Sequence, residues 1–487
     1  MQMSERRSGG YLPTVWDPEL IQSFTPPCTY ESDGHRLEEL KHATQLLFKS
    51  LTRPEEKLDM ITKMQRLDGA KHFKKEIKEF LAHLDPNTPT DLFTVALQFR
   101  LLHHYGCSIG SDVFNKFMNS DGKFKECLSE DAAGLLSLYE ASHLGVHEED
   151  VLDEAKAFST KHLKLALDKL ELENDLVQQI KESLEVPLHW RLPRMEARNF
   201  INIYQRDENK KLALLELAKL DFNLLQSVYL QELKELAGPY IAIFILTLIS
   251  WLNISISATS VFYLLIMNFL LPKKNGNDGQ VVEGLKMKDK LPFARDRMVE
   301  SYFWAMGSVP DPKFSKCRIN MTKYGSLVTM LDDVYDIYGS MDELHKYTTA
   351  VKRWDLEAIV ELPDYMKVCY KGTYNHVNEM VEDALNTLGL DILPYIKDQW
   401  MCYVQSLHVE AEWYYGGYMP TTLDEYLKNA WISIGIAAGL AYAFVAMLED
   451  SNSLNQCELQ LFEQWSSSDL FYLPSLIIRL LDDLSPS

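Results

Sequence analysis

The stretch YGSLVTMLDDVYD, residues 324–336, decides how this chain is read. An apolar run ends in Asp332, Asp333 and Asp336. Asp332 and Asp336 stand four residues apart, so on an α-helix both carboxylates leave one face, a turn apart. Paired carboxylates on one helical face suit Mg²⁺, a hard cation that takes oxygen ligands and is commonly completed by substrate phosphates. A solvated acidic helix end would show the same letters, so the neighbouring sequence has to choose.

Arg295-Asp296-Arg297 lies upstream, and Arg479-Leu480-Leu481-Asp482-Asp483-Leu484 lies downstream. Between and around them come Tyr302, Phe303, Trp304, Trp413, Tyr414 and Tyr415. This set resembles a class I terpene synthase of plant type. In that family, metal ions held by two acidic motifs grip a diphosphate, and an aromatic-lined pocket holds the carbocation left when it departs. Arg6-Arg7, eight further residues and Trp16 are similar to the RRx8W motif of the monoterpene branch. Residues 137–142, 217–228 and 293–304 also resemble the family, so the likeness covers nearly the whole chain.

Composition agrees with that. Of 487 residues, 46% are hydrophobic and 24% charged, as in an ordinary soluble globular protein with ample core. A net charge of −21 argues against a nucleic-acid partner. An acidic chain that binds a diphosphate must neutralise it locally, which fits metal ions and a few aimed arginines. The seven cysteines show no CxxC pair, so a reduced compartment without a disulfide framework is expected. No secretory signal precedes the arginine pair. The resemblance implies the plastid stroma, although monoterpene-branch relatives carry a transit peptide upstream; the alternative is the cytoplasm.

Apolar residues recur at three- and four-residue spacing in segments such as 37–51, 55–67, 91–104 and 149–170, and β signals are scarce. The expected fold is all-α with two helical domains. Residues 1–205 would form an N-terminal helical barrel-like domain with an arm at 6–16. Residues 206–487 would form the metal-binding class I helical bundle. The chain has no DxDD motif, which proton-initiated cyclases use, so the N-terminal domain reads as a structural partner.

Two stretches depart from the family. Leu236 to Pro272 contains no charged residue, and Tyr240–Leu271 is long and apolar enough to span a membrane. It interrupts a segment that in relatives is continuous, and Gln280-Val281-Val282 stands where relatives carry Arg-Trp-Trp. Gly238–Gly279 therefore reads as foreign to the fold, with a retained intron as the leading explanation and a membrane anchor as the runner-up. At the other end, Asp482-Asp483-Leu484-Ser485 begins the family's second metal motif, (N/D)Dxx(S/T)xxxE, but Pro486 replaces the hydroxyl and the chain ends at Ser487. The expectation is one incomplete metal site and a chain that has lost turnover or retains little.

By resemblance, Asp332 and Asp336 would ligate Mg²⁺ or Mn²⁺, with three ions in an intact relative, and Asp333 would join or support them. Asp482 would hold the second metal group. Arg295, Arg297 and Arg479 would clamp diphosphate oxygens, since guanidinium is always charged and can bind bidentately. Trp304 would offer a π face to the cation, which has no hydrogen-bond partner; core packing would equally explain a helical tryptophan. Arg297 could instead form a surface ion pair, and Asp482 could be an ordinary acidic chain end. Leu327 stands where isoprene-forming relatives have phenylalanine, which favours a substrate of ten carbons or more. The implied partner is a prenyl diphosphate, geranyl diphosphate foremost, bound by a monomer that associates with no membrane. The arm would dock on the catalytic domain and close its pocket.

Overall fold

The structure, a computed structural model, describes residues 6–84, 91–145, 150–168, 175–237, 291–451, 460 and 463–484. The apolar stretch 238–279, the junction 280–282 and the final residues 485–487 lie outside the described residues. Among the described residues every regular element is helical, apart from one isolated bridge between Met118 and Phe124. The chain divides into two compact units: Pro26–Val228, and Met1–Thr25 together with Tyr229–Ser487. The division falls inside one helix, Leu212–Ala237.

In the first unit, local chemistry starts the helices where the sequence signals them. Thr29 closes a capping box on Tyr30–Ser50, and Pro54 and Pro193 open Pro54–Arg66 and Pro193–Arg206. Asp91 accepts from the Thr94 N–H at the start of Leu92–His104, and Asp131 accepts from Gly134 at Ala132–Ser142. Leu92–His104 is apolar almost all round, and that decides its place. Val95, Ala96 and Phe99 enter one hydrophobic cluster, while Leu97, Leu101 and Leu102 enter a second.

The second unit builds its core on Ser315–Asp333, Met341–Arg353, Asp364–Leu388, Leu393–Gly416 and Ile436–Ser451. Aromatic residues dominate it, including Tyr324, Tyr347, Tyr370, Trp400, Tyr403 and Tyr442. Trp400 is fully buried. Removing about 200 Å² from water at ~25 cal/mol per Å² gives roughly 5 kcal/mol gross for such a side chain, before ordering entropy. Gly389 and Gly417 end two of these helices in left-handed conformation, φ 67° and 63°.

One buried ion pair anchors the helix that carries the aspartates. Arg318, with no exposed side-chain surface, donates to both carboxylate oxygens of Glu232 at 2.9 and 2.7 Å. Its remaining donors reach the carbonyls of Val309 at 2.8 Å and Asp311 at 2.6 Å, and Tyr302 O–H donates to Glu232 at 2.8 Å. Both carboxylate oxygens and every guanidinium nitrogen are engaged, which is the condition for two charges to be tolerated out of water.

Candidate active site

Ser315–Asp333 does not stop at its aspartates. It continues into a π-helical turn, Val334–Tyr338, closed by the Gly339 N–H donating to the Val334 carbonyl at 2.8 Å. Asp336 therefore leaves the α-helical i+4 position that the letters imply; π-turns of this kind are common at functional sites. Gly339 makes the closure feasible, because a Cβ there would meet the Val334 carbonyl oxygen at 2.9 Å and Leu344 Cδ2 at 2.6 Å.

Arg295 meets the acidic cluster from the loop before Met298–Ser308. Its backbone N–H donates to Asp333 Oδ2 at 2.6 Å, its Nε lies 2.8 Å from Asp333 Oδ1, and its Nη2 donates to Asp332 Oδ2 at 2.5 Å. Asp333 is 1% exposed and committed to this grip. Asp332 and Asp336 face the open side. Burial raises the Asp332 carboxyl; Arg295 pulls it down, while Asp482 pushes it up and Arg479 pulls it down, so both acidic motifs act on one place. Crowding by protein, then the charges of Asp332 and Glu410, lift Asp336 to about 7 although solvent reaches it.

Arg479 binds the Asp483 carboxylate, and Asp482 lies at 4.0 Å with its side chain exposed. Tyr426 O–H also donates to Asp483, at 3.0 and 2.9 Å to its two oxygens. Arg297 sits apart: it reaches its neighbour's carbonyl on Asp296 at 3.3 Å and Glu300 at 4.0 Å. Trp304 is 62% exposed. The structure thus brings together Arg295, Asp332, Asp333, Asp336, Arg479 and Asp482, and leaves Arg297 and Trp304 at the edge.

Glu410 is the acidic residue that sequence reading missed. It accepts from Ser433 at 2.5 Å and Asn429 at 3.2 Å, burial raises its carboxyl, and Arg479 pulls it back down. The available signal was a glutamate on the largely apolar helix Leu393–Gly416, three residues before Trp413.

The arm lies on this same unit. Arg6 forks onto Glu343 at 3.0 and 2.7 Å, donates to the Tyr338 carbonyl at 3.1 Å, and stacks on Tyr338 and Tyr365 at 4.7 and 5.1 Å. Burial alone would raise the Glu343 carboxyl; Arg6, the Ser340 N–H and Tyr365 hold it down at about 2. Arg7 donates to the Asp336 carbonyl at 2.8 Å and lies over Tyr414 and Tyr415, at 4.5 and 5.8 Å. Those tyrosines, grouped by sequence with the cation pocket, hold an arginine instead. Tyr11 lies beside Asp333, and the Arg295 guanidinium lies over its ring at 4.9 Å. Trp16 packs edge-on against Phe303 at 5.9 Å.

On the far side, the apolar segment 431–448 breaks between Leu423–Ser433 and Ile436–Ser451 at Gly435, φ +78°, whose carbonyl accepts from Tyr324 O–H. A Cβ at Gly435 would come within 3.2 Å of that hydroxyl and 3.3 Å of Val328, so glycine serves both the turn and the close approach.

Among the described residues no three carboxylate, imidazole or thiolate groups converge as a ready metal cage. The donor chemistry still fits a divalent cation. The charges of Asp332, Asp336 and Glu410 act on one another, and Asp482 acts on Asp332, with only part of this charge met by arginine. Mg²⁺ bound through one or two carboxylates and completed by phosphate and water needs no more from the protein.

Residues 283–487 match the terpene synthase family, metal binding domain, and residues 15–184 match the terpene synthase, N-terminal domain. A probable terpene synthase 9 from Ricinus communis is 44% identical over all of this chain and 75% of its own length. The chain is a member of the terpene synthase family. The trans-ocimene synthase of Litsea cubeba, described as chloroplastic, is 41% identical over 99% of this chain and 75% of its own. The crystal structure of limonene synthase with 2-fluorolinalyl diphosphate superposes with a TM-score of 0.83 at 33% identity, covering 99% of this chain and 81% of that one. Similar proteins thus include monoterpene synthases, and the all-α fold expected from the sequence is the fold observed. Terpene synthases are lyases whose C-terminal domain binds a divalent metal and whose substrate is a prenyl diphosphate.

Proposed function

We propose that this terpene synthase ionises geranyl diphosphate, with Mg²⁺ or Mn²⁺, to give a monoterpene in the plastid stroma. The observation that carries the reading is the constellation of Arg295 on Asp332 and Asp333 beside the π-turn, with Arg479 and Asp482 acting on the same place. Asp332 and Asp336 would hold the metal, Asp482 would contribute to a further ion, and three ions is the expected complement. Bound Mg²⁺ would neutralise the charge developing on the departing diphosphate without offering a nucleophile.

This chain's own residues do the rest. Arg479 and Arg295 present guanidinium donors to diphosphate oxygens, and Arg297 is near enough in sequence to join when substrate arrives. Asp333 does not ligate in this reading; it keeps Arg295 oriented. The arm supports the π-turn from outside through Arg7 and Tyr11, which favours water exclusion. Leu327, buried at 3% exposure, stands where isoprene-forming relatives have phenylalanine, which favours a substrate of ten carbons or more. Trp304 would have to turn inward to meet a cation.

Headspace gas chromatography with geranyl diphosphate and Mg²⁺ tests the proposal, with farnesyl diphosphate as the longer alternative. Product formation that vanishes in Asp332→Ala supports it; equal turnover by the variant overturns the assignment of the aspartates. A second reading, a terpene synthase fold without turnover, is favoured by Pro486, which stands where the family's second acidic motif has a hydroxyl. No product from geranyl or farnesyl diphosphate, restored by Pro486→Thr with a relative's following residues, would select it. We also propose that Gly238–Gly279 is a retained intron. Transcript sequencing across Ala237–Val281 tests this directly, and loss of solubility on deleting the segment would count against it.

A further inference from the structure

The N-terminal unit contains a cavity of about 400 Å³, enclosed by Pro54–Arg66, Leu92–His104, Ala132–Ser142, Asp175–Glu185 and Pro193–Arg206. That volume lies within the range of small-ligand pockets. Phe93, 41% exposed, and Ala133, also exposed, stand at its mouth, while Glu140 and Ser183 lie buried at its inner end. Phe93, Leu97, Leu136 and Phe200 give it apolar walls.

Its charges are unevenly matched. Lys63 pairs with Asp59 at 2.9 Å, Arg66 with Glu196 at 2.7 Å, and Arg191 with Glu196 at 2.7 Å. Among the described residues the hydrogen-bond partners of Arg100 are neutral: the Gln65 amide oxygen at 3.1 Å and the Thr62 hydroxyl at 3.0 Å. Burial, with the nearby positive charge of Arg66, lowers its guanidinium to about 10. Glu140 is the converse. It accepts from the Leu188 N–H at 2.7 Å; burial raises its carboxyl, and the charges of Arg191 and then Arg100 pull it down. Arg100 and Glu140 attract across the cavity but form no ion pair. A half-buried guanidinium and a buried carboxylate, neither in an ion pair among the described residues, are costly when apart.

We propose that this cavity is a binding site for a small zwitterion with an apolar body, of the chemical class of a free aromatic or branched α-amino acid. Its carboxylate meets Arg100, its ammonium meets Glu140, and its side chain lies along Phe93, Leu97, Leu136 and Phe200. A plain carboxylate would satisfy Arg100 and face Glu140 with like charge. A plain amine would do the reverse. A zwitterion compensates both and leaves the net charge of the site unchanged.

Isothermal titration calorimetry of the full chain with L-phenylalanine, hexanoate and hexylamine tests this. Phenylalanine should bind at least tenfold more tightly than either single-charge probe. Arg100→Gln and Glu140→Gln should each weaken it tenfold or more. Ala133→Trp, at the exposed mouth where folding tolerates change, should abolish binding without touching either charge, and circular dichroism confirms that each variant is folded. Absence of phenylalanine binding overturns the proposal, as does equal affinity for hexanoate or unchanged affinity in Ala133→Trp. A crystal soaked in phenylalanine that shows only waters between Arg100 and Glu140 overturns it as well.

Discussion

Arg295 holds both oxygens of one carboxylate: its backbone N–H donates to Asp333 Oδ2 at 2.6 Å while its side-chain Nε lies 2.8 Å from Oδ1. A loop residue and a helix terminus are thereby locked together, and the guanidinium also donates to Asp332. Asp333→Asn would replace one acceptor oxygen by a donor facing these donors. Breaking a buried pair costs about 3–5 kcal/mol, and the partial exposure of Arg295 lowers the expected loss to roughly 2–3 kcal/mol. Urea denaturation followed by near-ultraviolet circular dichroism measures it. A variant as stable as the parent would mean that Arg295 finds its orientation elsewhere. Arg295→Lys should not preserve the geometry, because the backbone N–H still holds Asp333 Oδ2 but an ammonium lacks the planar fork that meets Asp333 Oδ1 and Asp332 together.

Gly9 sets how closely the arm can lie. A Cβ at this position would come within 2.5 Å of the Tyr11 ring and 3.0 Å of Ile337 Cδ1. Gly9→Ala should therefore lift the arm off the π-turn, although it removes no charge or hydrogen bond. Limited proteolysis reads the result: cleavage between Arg6 and Trp16 should become several-fold faster than in the parent. Glu343→Gln should produce the same acceleration by a separate route, weakening the fork that holds Arg6. Unchanged cleavage in both variants would show that stacking on Tyr338 and Tyr365 alone suffices.

Tyr11 links the arm to the acidic cluster. Its hydroxyl lies beside the Asp333 carboxylate and its ring supports the Arg295 guanidinium. Tyr11→Phe keeps the ring and removes the hydroxyl. If Tyr11 positions Asp333 and Arg295 for diphosphate, the variant should lose about tenfold in kcat/KM, through KM more than kcat, with thermal stability nearly unchanged. Tyr11→Ala should lose more, because the cation–π contact, worth about 0.5–1 kcal/mol at an exposed site, goes too. A Tyr11→Phe enzyme with parental KM would confine the residue to arm packing.

The helical architecture was legible because period and punctuation agreed. Leu92–His104 announced itself by the three- and four-residue spacing of apolar residues over 91–104, while the capping box of Ser340 and Glu343 that starts Met341–Arg353 was a signal left unread. The aspartate cluster was legible as chemistry but not as geometry. Nothing in four-residue spacing reveals that Gly339 lets the chain widen into a π-turn. Tyr414 and Tyr415 were readable only as aromatic, since what lies on an exposed ring depends on a segment hundreds of residues away in sequence. Glu410 was hidden for the same reason: its partners Asn429 and Ser433 stand on another helix.

His376 gives a pH dependence that can be measured without substrate. It is 6% exposed on Asp364–Leu388, beside Tyr442, and burial together with the charge of Lys323 lowers its imidazole from 6.5 to about 3. In the unfolded chain it takes up a proton near 6.5, whereas the folded chain resists until about 3. Between those values the unfolded state binds the extra proton, so stability falls as pH falls, by about 1.4 kcal/mol per pH unit for one group. His376→Phe should remove that slope. The stability difference between parent and variant should therefore shift by about 2 kcal/mol in the variant's favour on going from pH 7 to pH 5. His143, lowered to about 4 in the other unit chiefly by burial, keeps a residual slope in both proteins and cancels in the comparison. Urea midpoints at the two pH values decide the matter. An identical difference at both would mean that His376 is protonated in the folded state or paired with a group that compensates it.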